Sequence, residues 1–128
     1  MTLQIRYTLN RASVSLKPKR PLIDWLQKID RSLGNEPMGA LDPLDENGDI
    51  FLVPGEDVID SREDAVKWVE KKWSDFFEFE LGKWIIDDQL WPKNRTLKLF
   101  REWFDIEYHS MVWDLGSEPL STEDWLVD

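Results

Sequence analysis

The amino-acid sequence predicts one small α+β domain: a three- or four-stranded sheet covered by helices on one face, in the order β-α-β-α-α-β. Three observations carry that expectation. Residues 10–18 alternate apolar and polar, residues 21–34 and 61–81 carry apolar stripes at helical spacing, and residues 105–115 return to period two. At 128 residues and 41% hydrophobic content the chain suits a single domain with its own core. That domain is expected over residues 1–115, with 116–128 as an acidic C-terminal tail.

In "NRASVSLKP" (10–18), Ala12, Val14 and Leu16 point one way and Ser13 and Ser15 the other, the pattern of a strand with one buried face. Pro18 and Pro21 stop that strand and open a helix, because proline fits a first helical turn. Leu22, Trp25, Leu26 and Ile29 then fall at i, i+3, i+4 and i+7, and Gly34 supplies an end signal. Residues 35–49 are rich in Pro, Gly and Asp and read as a loop. "DIFLVPG" (49–55), a short apolar run between turn signals, reads as a buried central strand reached by a right-handed crossover. The longest helix is expected over 61–81, capped by Asp60 or Ser61, with Val66, Val69, Trp73, Phe77 and Leu81 as its buried stripe and Trp68 and Phe79 off it. After a connector, "IIDDQLWP", a short helix capped by Asn94 or Thr96 turns Leu97, Phe100 and Phe104 inward. The last strand places Ile106, Tyr108, Ser110 and Val112 on one face, and Asp105, Glu107, His109, Met111 and Trp113 on the other. Residues 3–9 are a candidate fourth strand, and Trp125 and Leu126 are expected to dock from the tail.

Several classes of function are disfavoured by composition. No apolar run approaches the roughly 18 residues of a membrane span, and residues 1–21 contain no apolar stretch of a secretory signal, so the cytoplasm is the expected location. With no cysteine, disulfides, thiol nucleophiles and zinc–thiolate sites are absent. The net charge of −10 is uneven: residues 1–31 hold seven Lys/Arg and two Asp/Glu (+5), and residues 32–128 hold nine and 24 (−15). Such a field repels nucleic-acid phosphates and anionic lipid and favours a basic protein partner or none. No Gly-x-Ser-x-Gly elbow and no phosphate-cradling glycine loop occur, and no cofactor is implied.

Four groups of residues could carry chemistry. Asp105, Glu107 and His109 share a strand side, where two carboxylates and an imidazole could serve a metal or a general base; their spacing of about 6.6–7 Å along a strand strains joint ligation. "DENGDI" (45–50) echoes part of a calcium loop, but Pro43 and Pro54 occupy both end-ligand positions, and a turn is the better account. Lys93 and Arg95 at a helix start could hold an anion, or Arg95 could pair with one of the many carboxylates. Eight tryptophans exceed what one small core needs; Trp25 and Trp73 lie on helix stripes, while Trp91, Trp103 and Trp113, with Arg95, are candidates for a contact surface.

"NRASVSLKPKRPLIDWL" (10–26), "IFLVP" (50–54) and "LWPKNRTLKLFREWFDIEYHSMVWDL" (90–115) resemble a family of small, acidic, uncharacterised bacterial proteins. The resemblance covers most of the chain outside the first nine residues and the acidic tail. It implies a bacterial, cytoplasmic, stand-alone protein and, since no activity is known for that family, carries no functional residue with it.

The expected function is therefore non-enzymatic: an acidic module that binds a protein partner or its own copy, one specific form being an inhibitor or immunity-like protein for a basic partner. The alternative is a small metal-dependent or acid/base enzyme using Asp105, Glu107 and His109.

Overall fold

The computed structural model describes residues 2–32 and 48–126. Its elements, in chain order, are β1 (Tyr7–Thr8), β2 (Arg11–Pro18), α1 (Arg20–Ser32), β3 (Phe51–Pro54), α2 (Arg62–Glu70), α3 (Trp73–Trp84), a 3₁₀ turn (Asp88–Leu90), α4 (Leu97–Trp103), β4 (Phe104–His109) and β5 (Trp113–Asp114). The chain is α+β, as the sequence predicts. Among the described residues the main sheet has three strands in the order β3-β2-β4, and β1 and β5 form a separate two-stranded sheet.

The alternation in residues 10–18 becomes the central strand β2. Ala12, Val14 and Leu16 are buried beneath the helices. On the same side β3 adds Val53, β4 adds Phe104 and Ile106, and the helices contribute Leu22, Ile23, Leu26, Val69, Phe77, Leu81, Phe100 and Trp103. Phe77 sits at the middle of this core, with ring centroids 5.6–5.8 Å from Phe100, Trp103 and Phe104. Burying a side chain of this kind contributes roughly 1.5–3 kcal/mol. A second aromatic group joins β3 to α2 and α3: Phe51 lies 5.1 Å from Phe76 and 5.5 Å from Phe79, and Phe76 lies 6.3 Å from Trp68.

Caps fix the helix starts. Ser61, in extended backbone, accepts from the Asp64 N–H through its hydroxyl, and the Asp64 carboxylate accepts from the Asp60 N–H. Thr96 does the same for α4 by accepting from the Leu99 N–H. α4 passes into β4 without a connecting turn, because Phe104 is both the helix C-cap and the first strand residue.

Several expectations are corrected. The strand at 49–55 is not reached by a parallel crossover, and among the described residues it is not central: β3 stands at the edge, antiparallel to β2 through Arg11↔Pro54 and Val14↔Phe51, and Leu52 on it is exposed. Its apolar run reflects two environments, the core for Val53 and the second aromatic group for Phe51.

The helix expected over 61–81 is two helices with a corner at Lys71–Lys72, where the Lys72 N–H reaches back only three residues, to Val69. Successive i+4 steps from Val69 to Leu81 overshoot a 3.6-residue turn each time, so a straight helix would carry the stripe away from the sheet. The corner resets it, and Lys72 Nζ covers the Trp68 ring at 4.3 Å.

The last strand ends at His109, and residues 3–9 do not add to the main sheet. The ladder Ser13↔His109 resumes only at the bond from the Leu9 N–H to the Val112 carbonyl, 2.8 Å, followed by Thr8↔Trp113 and Tyr7↔Asp114. Three residues on one chain face two on the other across this gap, so one extra residue breaks the ladder as a bulge does. The β1–β5 ribbon is thus the β2–β4 pair continued past a register shift. Trp125 is 87% exposed and does not dock, and neither does Leu126. The end signal at Gly34 and the loop at 35–47 lie outside the described residues.

Candidate functional site

Six of the exposed large apolar side chains lie on or beside the ribbon. Tyr7 and Trp113 stand on β1 and β5, Trp113 with 47% of its surface in solvent and Ile5 with 62%; Leu3, Met111 and Leu115 are similarly open. Tyr7 pairs with Asp114 and Thr8 with Trp113, so Tyr7 and Trp113 lie on opposite faces. The Arg6 guanidinium lies 4.9 Å from the centre of the Tyr7 ring. A shallow groove of about 580 Å³ runs between Leu3, Arg6, Tyr7, Asp114 and Leu115. Exposed apolar side chains clustered in this way mark contact sites more often than chemistry.

A second place surrounds Trp91. Its indole N–H donates to the Ile85 carbonyl at 2.7 Å, and its ring lies close enough to Gly82 that an added Cβ there would stand 3.6 Å away. Arg95 sits 5.7 Å from the Trp91 ring centre, donates to the Pro92 carbonyl and pairs with Glu78 at 3.2 Å. Lys93 donates to the Gln89 carbonyl at 2.7 Å. Both cations offered for an anion are therefore already engaged, Arg95 with a carboxylate. The hollow here, about 440 Å³, is lined by Glu78 and Asp88 as well as Lys93 and Arg95, a mixed field rather than an anion site.

Asp105, Glu107 and His109 do share a side of β4, the one turned away from the helices, and all three are exposed. They stand opposite Lys17, Ser15 and Ser13 on β2, and Asp105 lies 3.8 Å from the Lys19 ammonium. Among the described residues no three His, Cys, Asp or Glu side chains come close enough to hold a metal ion. The trio shares a face without converging. Of the calcium-loop echo, Asp45 to Asn47 lie outside the described residues, and Asp49 is bound to Lys83 instead.

The four proposed contact residues are thus separated. Trp91 and Arg95 sit together on one side of α3. Trp113 stands on the ribbon. Trp103 is 8% exposed and belongs to the core, where its ring meets Trp25 at 5.8 Å and Phe77 at 5.6 Å, so it presents no surface to a partner. The spacing Phe100, Trp103, Phe104 is an apolar helical stripe, and that signal places Trp103 inside.

One polar cluster was not visible to motif reading. Glu80 on α3 is 2% exposed, and Lys83 Nζ lies 2.8 Å from it and 2.9 Å from Asp49. Burial pushes the Glu80 carboxyl above its ordinary value, against the pull of Lys83. Burial alone would depress the Lys83 ammonium, but the two carboxylates hold it above its usual range. At the surface, a two-pronged bond from Arg101, 2.8 Å at each nitrogen, holds Glu70 below the ordinary carboxylate value.

No family model matches the chain, and neither a curated protein nor a solved structure does. Among the described residues no helix is long and apolar enough to cross a membrane.

Proposed function

We propose that the protein is a non-enzymatic protein-interaction module whose contact surface is the β1–β5 ribbon. The observation that carries this reading is the concentration of exposed Leu3, Ile5, Tyr7, Met111, Trp113 and Leu115 on and beside one two-stranded ribbon. Aromatic and aliphatic anchors of this type dominate the energetics of protein contacts. The net charge of −10 favours a basic protein as partner, with complementary charge speeding encounter, and disfavours nucleic acid and anionic membrane. An inhibitor or immunity-like role toward such a partner, in the cytoplasm of a bacterium, is the specific form of this proposal.

The test is affinity capture from a cell lysate with the wild-type chain and with Trp113→Ala, each at low and at moderate salt. A basic protein held by the wild type, weakened by salt and lost from the variant is the expected result. Equal recovery by both chains, or binding indifferent to salt, would overturn the reading.

A further inference from the structure

We infer that the free edge of β1 takes a second copy of this chain, pairing residues 2–8 antiparallel about a two-fold axis at Ile5. The inference deepens the interaction-module reading and rests on it, since it uses the same ribbon.

The backbone is the first support. A two-stranded ribbon is marginal in water by itself, and three or more strands are needed for independent stability. Among the described residues β1 pairs only with β5, and the ladder stops at Tyr7↔Asp114: the Asp114 carboxylate accepts from the Gly116 N–H, and residues 115–117 flank residues 2–6 across a groove without backbone pairing. Among the described residues, residues 2–6 make no backbone hydrogen bond. These unpaired donors and acceptors lead directly into β1 (Tyr7–Thr8), and the occupant that satisfies them as an extension of that strand is another strand.

Hydrogen-bond parity and side-chain pairing together point to the register. The Leu9 N–H points toward the β5 side, where it bonds Val112, the residue before that strand. Backbone groups alternate sides along a strand, so those of Thr8 point to the free edge, and extending the strand through residues 2–6 turns those of Gln4 and Arg6 the same way. An antiparallel pair of copies must use these even-numbered residues for its hydrogen bonds. A two-fold at Arg6 would set two guanidinium groups against each other. A two-fold at Ile5 sets Gln4 against Arg6 of the second copy, Leu3 against its Tyr7, and Ile5 against Ile5. The apolar pairs then occupy the non-hydrogen-bonded positions, where side chains approach most closely.

Charge selects the same place. Arg6 is the one charged residue between positions 2 and 9 in a chain of net charge −10, so two copies repel least along this edge. The product is a four-stranded sheet, β5-β1-β1-β5, that presents Trp113 twice and leaves its face open to a further partner.

The absence of cysteine in the sequence gives a register-specific experiment. Across a two-fold at Ile5 the paired Cα atoms stand about 4.5 Å apart, within the range that a disulfide spans. Oxidised glutathione should convert Ile5→Cys to a disulfide-linked dimer and leave Gln4→Cys largely monomeric. In sedimentation equilibrium the wild type should show twice the chain mass. Ile5→Lys should dissociate it, and Gln4→Glu, which faces a carboxylate to Arg6 of the second copy, should tighten it about four-fold. Residues 2–6 are exposed, and a circular dichroism melt controls for folding. A monomeric wild type, a dimer indifferent to Ile5→Lys, or equal cross-linking at positions 4 and 5 would each overturn the pairing. A monomer whose capture of a partner is still lost in Trp113→Ala would overturn this inference alone and leave the interaction module standing.

Discussion

The Lys83 ammonium bridges two carboxylates of opposite environment: Glu80, buried in α3, at 2.8 Å, and Asp49, at the surface ahead of β3, at 2.9 Å. One cation thereby neutralises a core carboxylate and ties the segment before β3 to α3. Breaking a buried pair by removing one member leaves the other uncompensated, at a cost near 3–5 kcal/mol when both are deeply buried. Lys83 is partly open to solvent, so Lys83→Met should cost less, about 2–3 kcal/mol. Chemical denaturation of the single variants and of Lys83→Met with Glu80→Gln checks it. The double variant should recover most of the loss, and strict additivity would show that the two groups do not couple.

The same carboxylate predicts a pH dependence with a definite sign. Glu80 titrates above its ordinary value in the folded state, because burial penalises its charged form. A raised folded value means that its contribution is fully present below the unfolded value of 4.5 and is lost as pH rises through the folded value. Glu80→Gln, which mimics the protonated form, lacks this dependence. The wild type should therefore gain stability relative to Glu80→Gln as pH falls from neutrality toward 4.5, measured as the difference in melting temperature. A constant difference across that window would mean that Glu80 titrates normally.

Glu70 works in the opposite direction. Its bond to Arg101 lowers its titration below the ordinary value of 4.5, so its contribution is present above that value and lost as pH falls through the folded one. Arg101→Gln should remove this acid-side loss and flatten the stability profile below pH 4.5. A profile unchanged by the substitution would place the acid sensitivity elsewhere.

Legibility in the sequence followed the strength of each local pattern. The central strand and α1 were readable because Ala12, Val14 and Leu16, and then Leu22 and Leu26, bury one face at a constant period. The corner at Lys71–Lys72 was not, because no Gly or Pro marks it and the i+4 series runs unbroken through it. The ribbon escaped for a different reason: the alternation at 105–115 continues in the sequence, while the register shift depends on how many residues lie opposite, a relation between two distant segments. The Ile5 and Tyr7 alternation did signal a strand, but not which sheet it joins. Glu80 with Lys83 three residues later was a visible helical pair, yet only the packing of α3 shows that the carboxylate is inside.

Gly55 marks a close approach where β3 meets the start of β2. A Cβ there would stand 3.1 Å from the Asn10 carbonyl oxygen and 3.3 Å from its carbon, and both are backbone atoms that cannot swing aside. Gly55 also anchors the turn into α2, since its carbonyl accepts from the Val58 and Ile59 N–H groups at 2.9 and 2.8 Å. Gly55→Ala should destabilise by about 1–2 kcal/mol, the low end of the strain from overpacking. An increase in melting temperature, as alanine gives where glycine is merely permissive, would show that the strands separate freely.

Trp103 and Trp113 make the sharpest contrast, because ten residues apart they do different work. Trp103 closes the core between α1 and Phe77, and Trp103→Ala leaves a cavity there, at a cost of about 3–5 kcal/mol. Trp113 faces solvent on the ribbon, and Trp113→Ala should change stability by no more than about 0.5 kcal/mol, as surface substitutions do. The two variants therefore separate folding from contact. Urea unfolding of each, run beside the capture experiment, should show Trp103→Ala losing stability and Trp113→Ala losing only capture of the partner. If Trp113→Ala instead unfolds at markedly lower urea, the ribbon is held by its tryptophan as part of the fold, and the contact surface must lie elsewhere.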